Sequence, residues 1–239
     1  MRINYWGVFQ LKWLPIIIIT ALAVCALLWW RFPGAEVYSS KPVISWALAG
    51  KTIFIDPGHG GKDPGVISKN GLLEKDINLA ISRSLAEILR QSGATVVLSR
   101  ENDVIVDETK RADLDRRLQL MTDTNSAVCI SIHGNSFPKK THVYGAQVFY
   151  NKSDEKGRQL AESIQSEVSI ISQSNRKALA HPDAYILQHN SIPIALVEVG
   201  FFSNDREEAL LQDKDYQWQL AWGIYSGIVK YFITVDCEN

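Results

Sequence analysis

The sequence predicts an α/β domain of three layers, a largely parallel mixed central sheet with helices on both faces, preceded by one N-terminal membrane-targeting helix. Three observations predict it. Short apolar runs of β type alternate with helical stripes, the order that builds parallel strands joined by crossover helices. Two of those runs, Ile53-Phe-Ile55 and Ile194-Ala-Leu-Val197, are continuous aliphatic or aromatic stretches bounded by Gly or Pro, as buried strands are. From Leu14 to Trp30 there is no charged residue, with Arg2 and Lys12 before the run and Arg31 after it.

The 17 residues of that run span roughly 25 Å as a helix, the short end of what crosses a bilayer. Trp13, Trp29 and Trp30 stand where interfacial aromatics belong, and the flanking basic residues keep that side in the cytoplasm and put the domain outside it. Residues 1–31 therefore read as an uncleaved signal anchor, with a cleaved signal peptide ending near Val24-Cys-Ala26 as the alternative. Residues 32–50, with Pro33-Gly34, Ser39-Ser40 and Pro42, read as a linker, and residues 51–239 as the folded domain.

Within the domain, Thr52 to Asp56 is a strand that breaks into a loop of four glycines, two prolines and His59. Leu72 to Gln91 carries a helical stripe at Ile77, Ile81, Leu85, Ile88 and Leu89, ended by Gly93. A strand at Ala94–Ser99, a helix around Leu114, Leu118 and Met121, and a strand Ala127–His133 follow. Gly145–Tyr150 reads as a strand, Leu160 to Ile171 as a helix, Ser172–His181 as a loop and Ala184–Leu187 as a short strand. After the strand Ile194–Gly200, Asn204 with Glu207 makes a capping pattern, and Tyr216–Phe232 is an apolar-rich helix expected on the sheet.

Composition excludes several classes. Residues 1–35 hold three of the 25 basic side chains and none of the 26 acidic ones, so the remainder carries 22 against 26, a net of −4. No nucleic-acid partner is expected from such a surface. Three cysteines make neither a disulfide framework nor a zinc finger, and Cys129 reads as a small core residue. Gly61-Lys62 lacks the Ser or Thr of a phosphate-binding loop, and there is no Gly-x-Ser-x-Gly elbow of a serine hydrolase.

In such sheets ligands bind at the carboxyl ends of strands. Three strands here end in residues of catalytic type: one leads to His59, one to His133 and one to Glu198. A carboxylate inside a buried strand costs several kcal/mol unless it is paired or its pKa rises, so Glu198 points to chemistry, or else to an ion pair with Arg100 or Arg117. Glu74 opens the helix after the glycine loop, where an acid also suits the helix dipole. Two histidines and one glutamate are a ligand set for catalytic zinc, and a second glutamate serves as base. Which glutamate does which is left open by the residues themselves. His142, His181 and His189 lie in polar loops or beside turns and are assigned no ligand role.

The segments Ile53-Phe-Ile-Asp-Pro-Gly-His-Gly-Gly-Lys-Asp-Pro-Gly65, Glu74, Ser131-Ile-His-Gly-Asn-Ser136 and Pro193 through Glu198-Val-Gly-Phe-Phe-Ser-Asn204 resemble the zinc-dependent N-acetylmuramoyl-L-alanine amidases of the Amidase_3 family, over about Lys51 to Phe232. The resemblance implies one Zn2+ held by His59, Glu74 and His133, with Glu198 as catalytic acid and base. It implies supporting roles for Arg100, Arg117 and Asp103, which brace the site or the loop beneath it. Gln188 stands where the family commonly has a basic residue, which bears on substrate preference. A short leader before a bare catalytic domain is similar to germination-specific (CwlD-type) amidases, implying peptidoglycan of the spore cortex as substrate and formation of muramic δ-lactam as the outcome. The expectation is thus an extracytoplasmic enzyme, anchored by its leader or secreted after cleavage, with an activating protein partner left open. The alternative is a catalytically silent peptidoglycan-binding protein that retains the zinc site.

Overall fold

The structure is a computed structural model that describes residues 15–20, 22, 46–104, 109–189 and 192–238. The chain divides into two units, residues 1–41 and 42–239. In the first, residues 15–20 and 22 are helical, and the rest of the predicted anchor lies outside the described residues. Among the described residues no helix is long and apolar enough to cross a membrane.

The second unit contains strands β1 (Thr52–Pro57), β2 (Thr95–Leu98), β3 (Val128–Asn135), β4 (Gln147–Tyr150), β5 (Leu179–Ala180) and β6 (Ile194–Phe201). Its helices are α1 (Glu74–Gln91), α2 (Lys110–Asp123), α3 (Glu155–Ser172), α4 (Tyr185–Gln188), α5 (Asp205–Gln212) and α6 (Lys214–Glu238). The strands form one sheet in the order β2-β1-β3-β6-β4-β5. Strands β2, β1, β3 and β6 run parallel; β4 is antiparallel to β6, and β5 runs parallel to β4. The sheet is thus largely parallel and mixed.

Strand alternation sorts the core into two layers. Ile53, Ile55, Ile130, Ile132, Ala195 and Val197 pack with the apolar stripes of α1, α3 and α6. Phe54, Cys129, Ile194 and Leu196 point the other way, onto Met121 of α2 and Ile186 and Leu187 of α4. Cys129 is fully buried, and burial pushes its thiol up, as befits a core residue. The longest helix, α6, buries Leu220, Ala221, Ile224, Tyr225, Ile228, Tyr231 and Phe232 on one face. Its backbone runs alongside α1 and α3 rather than directly on a strand.

Four local expectations change. The segment Ala184–Leu187 is not a strand; Tyr185–Gln188 is a single helical turn. Ile186 and Leu187 are both buried in the same cluster, which consecutive residues of a strand, pointing to opposite faces, cannot achieve. The loop Ser172–His181 contributes the two-residue edge strand β5, too short to leave a periodic signal. Asn204 does cap α5, accepting from the N–H groups of Arg206 and Glu207, but Glu207 does not reach back to it. Instead its carboxylate takes the N–H groups of Gly145 and Phe201. Packed structure also starts ahead of Lys51, because the 3-10 turn Trp46–Leu48 lies against α6 and places Leu48 fully inside the core.

Candidate metal centre and catalytic carboxylate

The crevice at the carboxyl ends of β1, β3 and β6 collects the four predicted residues. His59 follows β1 with φ +62°, a left-handed conformation uncommon for a side-chain-bearing residue, and the next two glycines also have positive φ. The loop closes on itself through reciprocal backbone hydrogen bonds between Gly60 and Asp63. Further on, Val66 and Pro64 offer their carbonyls to the first N–H groups of α1, fixing the entry of that helix with Glu74 at its first position.

His59 Nε2 lies 3.1 Å from Glu74 Oε1, and His133 Nδ1 lies 3.2 Å from the same oxygen. The three donor atoms sit within 4.8 Å of one another and could hold a metal ion. Two imidazole nitrogens and a carboxylate oxygen suit zinc, which in catalytic sites keeps a fourth position for water or substrate. Glu74 is 2 % exposed, and its second line of contacts holds it in place. Oε1 also accepts from the Gly134 N–H at 3.0 Å and Asn78 Nδ2 at 3.2 Å, while Oε2 accepts from the Val66 N–H at 2.8 Å. Burial alone raises a carboxyl pKa, but the hydrogen bonds and charges of His133 and His59 win and hold Glu74 well below the usual carboxylate range. Burial disfavours the charged form of His59, yet Glu74 and then Asp63 raise its pKa.

Two glycines of the loop make this packing possible. A Cβ on Gly58 would stand 2.3 Å from His133 Cε1, and one on Gly65 would stand 2.4 Å from Glu74 Oε2 and 2.7 Å from His59 Cδ2. The glycines therefore make room for the ligand-type side chains themselves. On its other side His59 Nδ1 lies 2.9 Å from Asp63 Oδ2, off the line of a good hydrogen bond, while Asp63 accepts the Gly65 N–H and pairs with Lys110 at 3.3 Å.

Glu198 stands opposite His133 in the β3–β6 ladder and opposite Gln147 in the β6–β4 ladder. Its Oε2 is shielded from solvent and has no hydrogen-bond partner. Burial pushes its carboxyl up to about 7; Glu74 adds to that, and the two histidines oppose it. The ion pair with Arg100 or Arg117 is not formed, because both guanidiniums are engaged elsewhere. Arg100 donates to the carbonyls of Pro57, Gly58 and Lys75 at 2.8 to 3.0 Å. Arg117 binds Asp56 at 2.7 Å, Asp113 at 2.8 Å, and the carbonyls of Pro57 and His59 at 2.9 and 2.8 Å. Asp103 accepts from the Gly61 N–H at 2.8 Å and Lys75 at 2.6 Å. All three predicted supporting residues thus grip the backbone of the His59 loop.

Sequence reasoning assigned no role to Asp56, Asp63, Lys75 or Asn78. Asp56 is 2 % exposed and accepts from Ser99, Ser131 and Arg117; against the raising effect of burial, Arg117 and Ser99, with the charge of His133, hold its carboxyl down to about 2. Its place beside the proline that ends a buried strand was the available signal. His181 and His189 lie away from the cluster: His181 Nδ1 accepts from the Asp183 and Ala184 N–H groups, and His189 stacks on Tyr185. Gln188 donates to the His181 carbonyl.

The family model of N-acetylmuramoyl-L-alanine amidase matches residues 53–230. The germination-specific N-acetylmuramoyl-L-alanine amidase of Bacillus subtilis is 34% identical over 232 residues, covering 93% of this chain and 95% of that protein. Among solved structures, the CwlD amidase from Clostridioides difficile in complex with the GerS lipoprotein is 40% identical with a TM-score of 0.72, over 78% of this chain and 100% of that one. An N-acetylmuramoyl-L-alanine amidase of Nostoc punctiforme is 34% identical with a TM-score of 0.69, over 77% and 98%. With its fold and most of its length matched in this way, the chain belongs to the N-acetylmuramoyl-L-alanine amidase family, a family of amide hydrolases.

Proposed function

We propose that the chain is a zinc-dependent hydrolase cutting the amide between N-acetylmuramic acid and L-alanine in peptidoglycan, with His59, Glu74 and His133 holding one zinc ion and Glu198 as acid and base. One observation carries the proposal: a three-donor cluster stands beside a carboxyl whose shielded Oε2 has no hydrogen-bond partner. When bound, zinc supplies Lewis acidity to the scissile carbonyl and to water. Glu198 takes the proton from the attacking water and hands it to the departing nitrogen, since an amine leaves poorly unless protonated. A carboxyl shifted to about 7 can both accept and return a proton near neutral pH. Asp56, Arg117 and Arg100 hold the strand end and loop carbonyls, so His59 keeps its left-handed pose.

The name of the Bacillus subtilis relative supports placing the substrate in the spore cortex, where removing the peptide from muramic acid precedes δ-lactam formation. The lipoprotein bound to the Clostridioides difficile amidase supports a protein partner for this chain as well. The same reading makes residues 1–31 an anchor or signal peptide, 32–50 a linker and 51–239 the catalytic domain, working outside the cytoplasmic membrane. Mass analysis of peptidoglycan digested by the purified zinc-loaded chain tests the reaction. New amino termini on L-alanine with intact glycan are expected; cuts confined to glycan or to peptide cross-links overturn it.

A further inference from the structure

Beside the acid and base stands a cation whose bonding is incomplete. Gln147, 6 % exposed, is paired with Glu198 across the antiparallel β6–β4 ladder, and directly opposed residues present their side chains on the same face. Gln147 Nε2 donates to the Lys177 carbonyl at 3.1 Å, and its Oε1 accepts from Arg176 Nη1 at 2.9 Å. Arg176 Nε donates to the Tyr144 carbonyl at 2.9 Å, and the guanidinium lies over the ring of Phe201, 4.8 Å from its centroid. Phe201 is itself paired with Asn135, two residues beyond His133. The guanidinium is therefore fixed from three directions, one of them a side chain on the rung that contains Glu198 and His133.

Those contacts use two of the five N–H groups an arginine carries. Among the described residues the other three have no hydrogen-bond partner, and no carboxylate forms an ion pair with Arg176. Glu207, whose carboxyl feels this charge, is already bound to the N–H groups of Gly145 and Phe201. A half-buried guanidinium oriented this firmly, with a donor edge to spare, matches a planar anion such as a carboxylate.

We propose that Arg176, positioned by Gln147 and Phe201, is a specificity residue that binds a carboxylate of an acidic peptide on the leaving-group side of the scissile amide. The inference rests on the amidase reading, which also decides the side. The sugar side of that bond offers hydroxyl and acetamido groups and no anion, so the carboxylate belongs to the peptide. Neighbouring strands lie roughly 5 Å apart and an extended peptide advances roughly 3.5 Å per residue, so the carboxylate suited to a guanidinium held by the strand next to Glu198 is one carried within the first residues after the alanine.

The test uses two soluble disaccharide-peptides that differ only in whether the residue after the alanine carries a free α-carboxylate or its amide. The purified full chain is expected to favour the carboxylate about 10- to 100-fold, through KM. Arg176→Gln should erase the preference by slowing the carboxylate substrate far more than the amidated one, and Arg176→Lys should restore part of it. Equal handling of the two substrates by the parent chain, or an equal loss on both in Arg176→Gln, overturns the proposal, the latter because a merely structural role affects both alike. If the zinc-loaded parent chain releases peptide from neither substrate, the amidase reading itself has failed.

Discussion

His133 and Glu198 face each other across the β3–β6 ladder, so an imidazole in contact with Glu74 and a carboxyl with an unpartnered oxygen share one rung of the sheet. Their separation is set by the backbone pairing of two buried strands. Replacing Glu198 by Gln should therefore leave zinc stoichiometry unchanged and reduce turnover by about 10²- to 10⁴-fold. Metal analysis and a peptide-release assay on one preparation check both halves; full activity would remove Glu198 from the mechanism.

Removing the metal should abolish peptide release, and adding zinc back should restore it. Metal loss is also expected on acidification, because both imidazoles must be neutral to act as ligands and His59 has a raised pKa. A zinc-retention series from about pH 8 to about pH 5 should show the ion leaving progressively, with Glu74→Ala releasing it throughout.

The Asp56–Arg117 pair gives an acid limb to stability. The Asp56 carboxyl is held at about 2 in the fold, below its unfolded value of 3.8, so the folded state binds fewer protons than the unfolded chain. That contribution is complete above about pH 4 and is lost as pH falls toward 2, amounting to about 2 kcal/mol. Urea unfolding across this range should show it, and Asp56→Asn should flatten it. Arg117→Met, which strands a buried carboxylate, should cost about 3–5 kcal/mol at neutral pH.

Gly58→Ala should weaken zinc binding with little change in helix content, because the new methyl group falls on the His133 ring. A loss of about 10-fold or more in zinc affinity is expected for a ligand pushed out of line. Competition with a chromogenic chelator measures it, and unchanged affinity would mean that the ring can give way.

Leu48→Ala should destabilise the domain by about 2–5 kcal/mol, as for other fully buried leucines. Denaturant midpoints check this, with the exposed control position Trp46 expected to tolerate alanine.

The sheet and its helices were legible because long amphipathic stripes such as Ile77 to Leu89 and continuous apolar runs such as Ile194 to Val197 repeat over enough residues to override local noise. The one-turn helix at Tyr185 and the two-residue β5 were not, since neither lasts long enough for its period to repeat. His59, His133 and Glu198 stood out as polar residues ending apolar strands. The grip of Arg100 and Arg117 on the carbonyls of the loop was foreshadowed only by the family resemblance, and the hold of Asp56 on Arg117 not at all, because both depend on long side chains arriving from other elements. The two glutamates looked alike in sequence; in the fold one accepts from several donors and the other has an oxygen with none.

The four residues of the crevice come from positions 59, 74, 133 and 198, and only the first two are neighbours along the chain. His133 and Glu198 arrive through parallel pairings, which form only after long loops have closed and are slow steps in folding. The loop between β1 and α1 can assemble half of the donor set early, but the full set exists only when β3 has docked against β1. Metal capture at full strength is therefore a late event in folding, and zinc affinity doubles as a gauge of whether the sheet has closed.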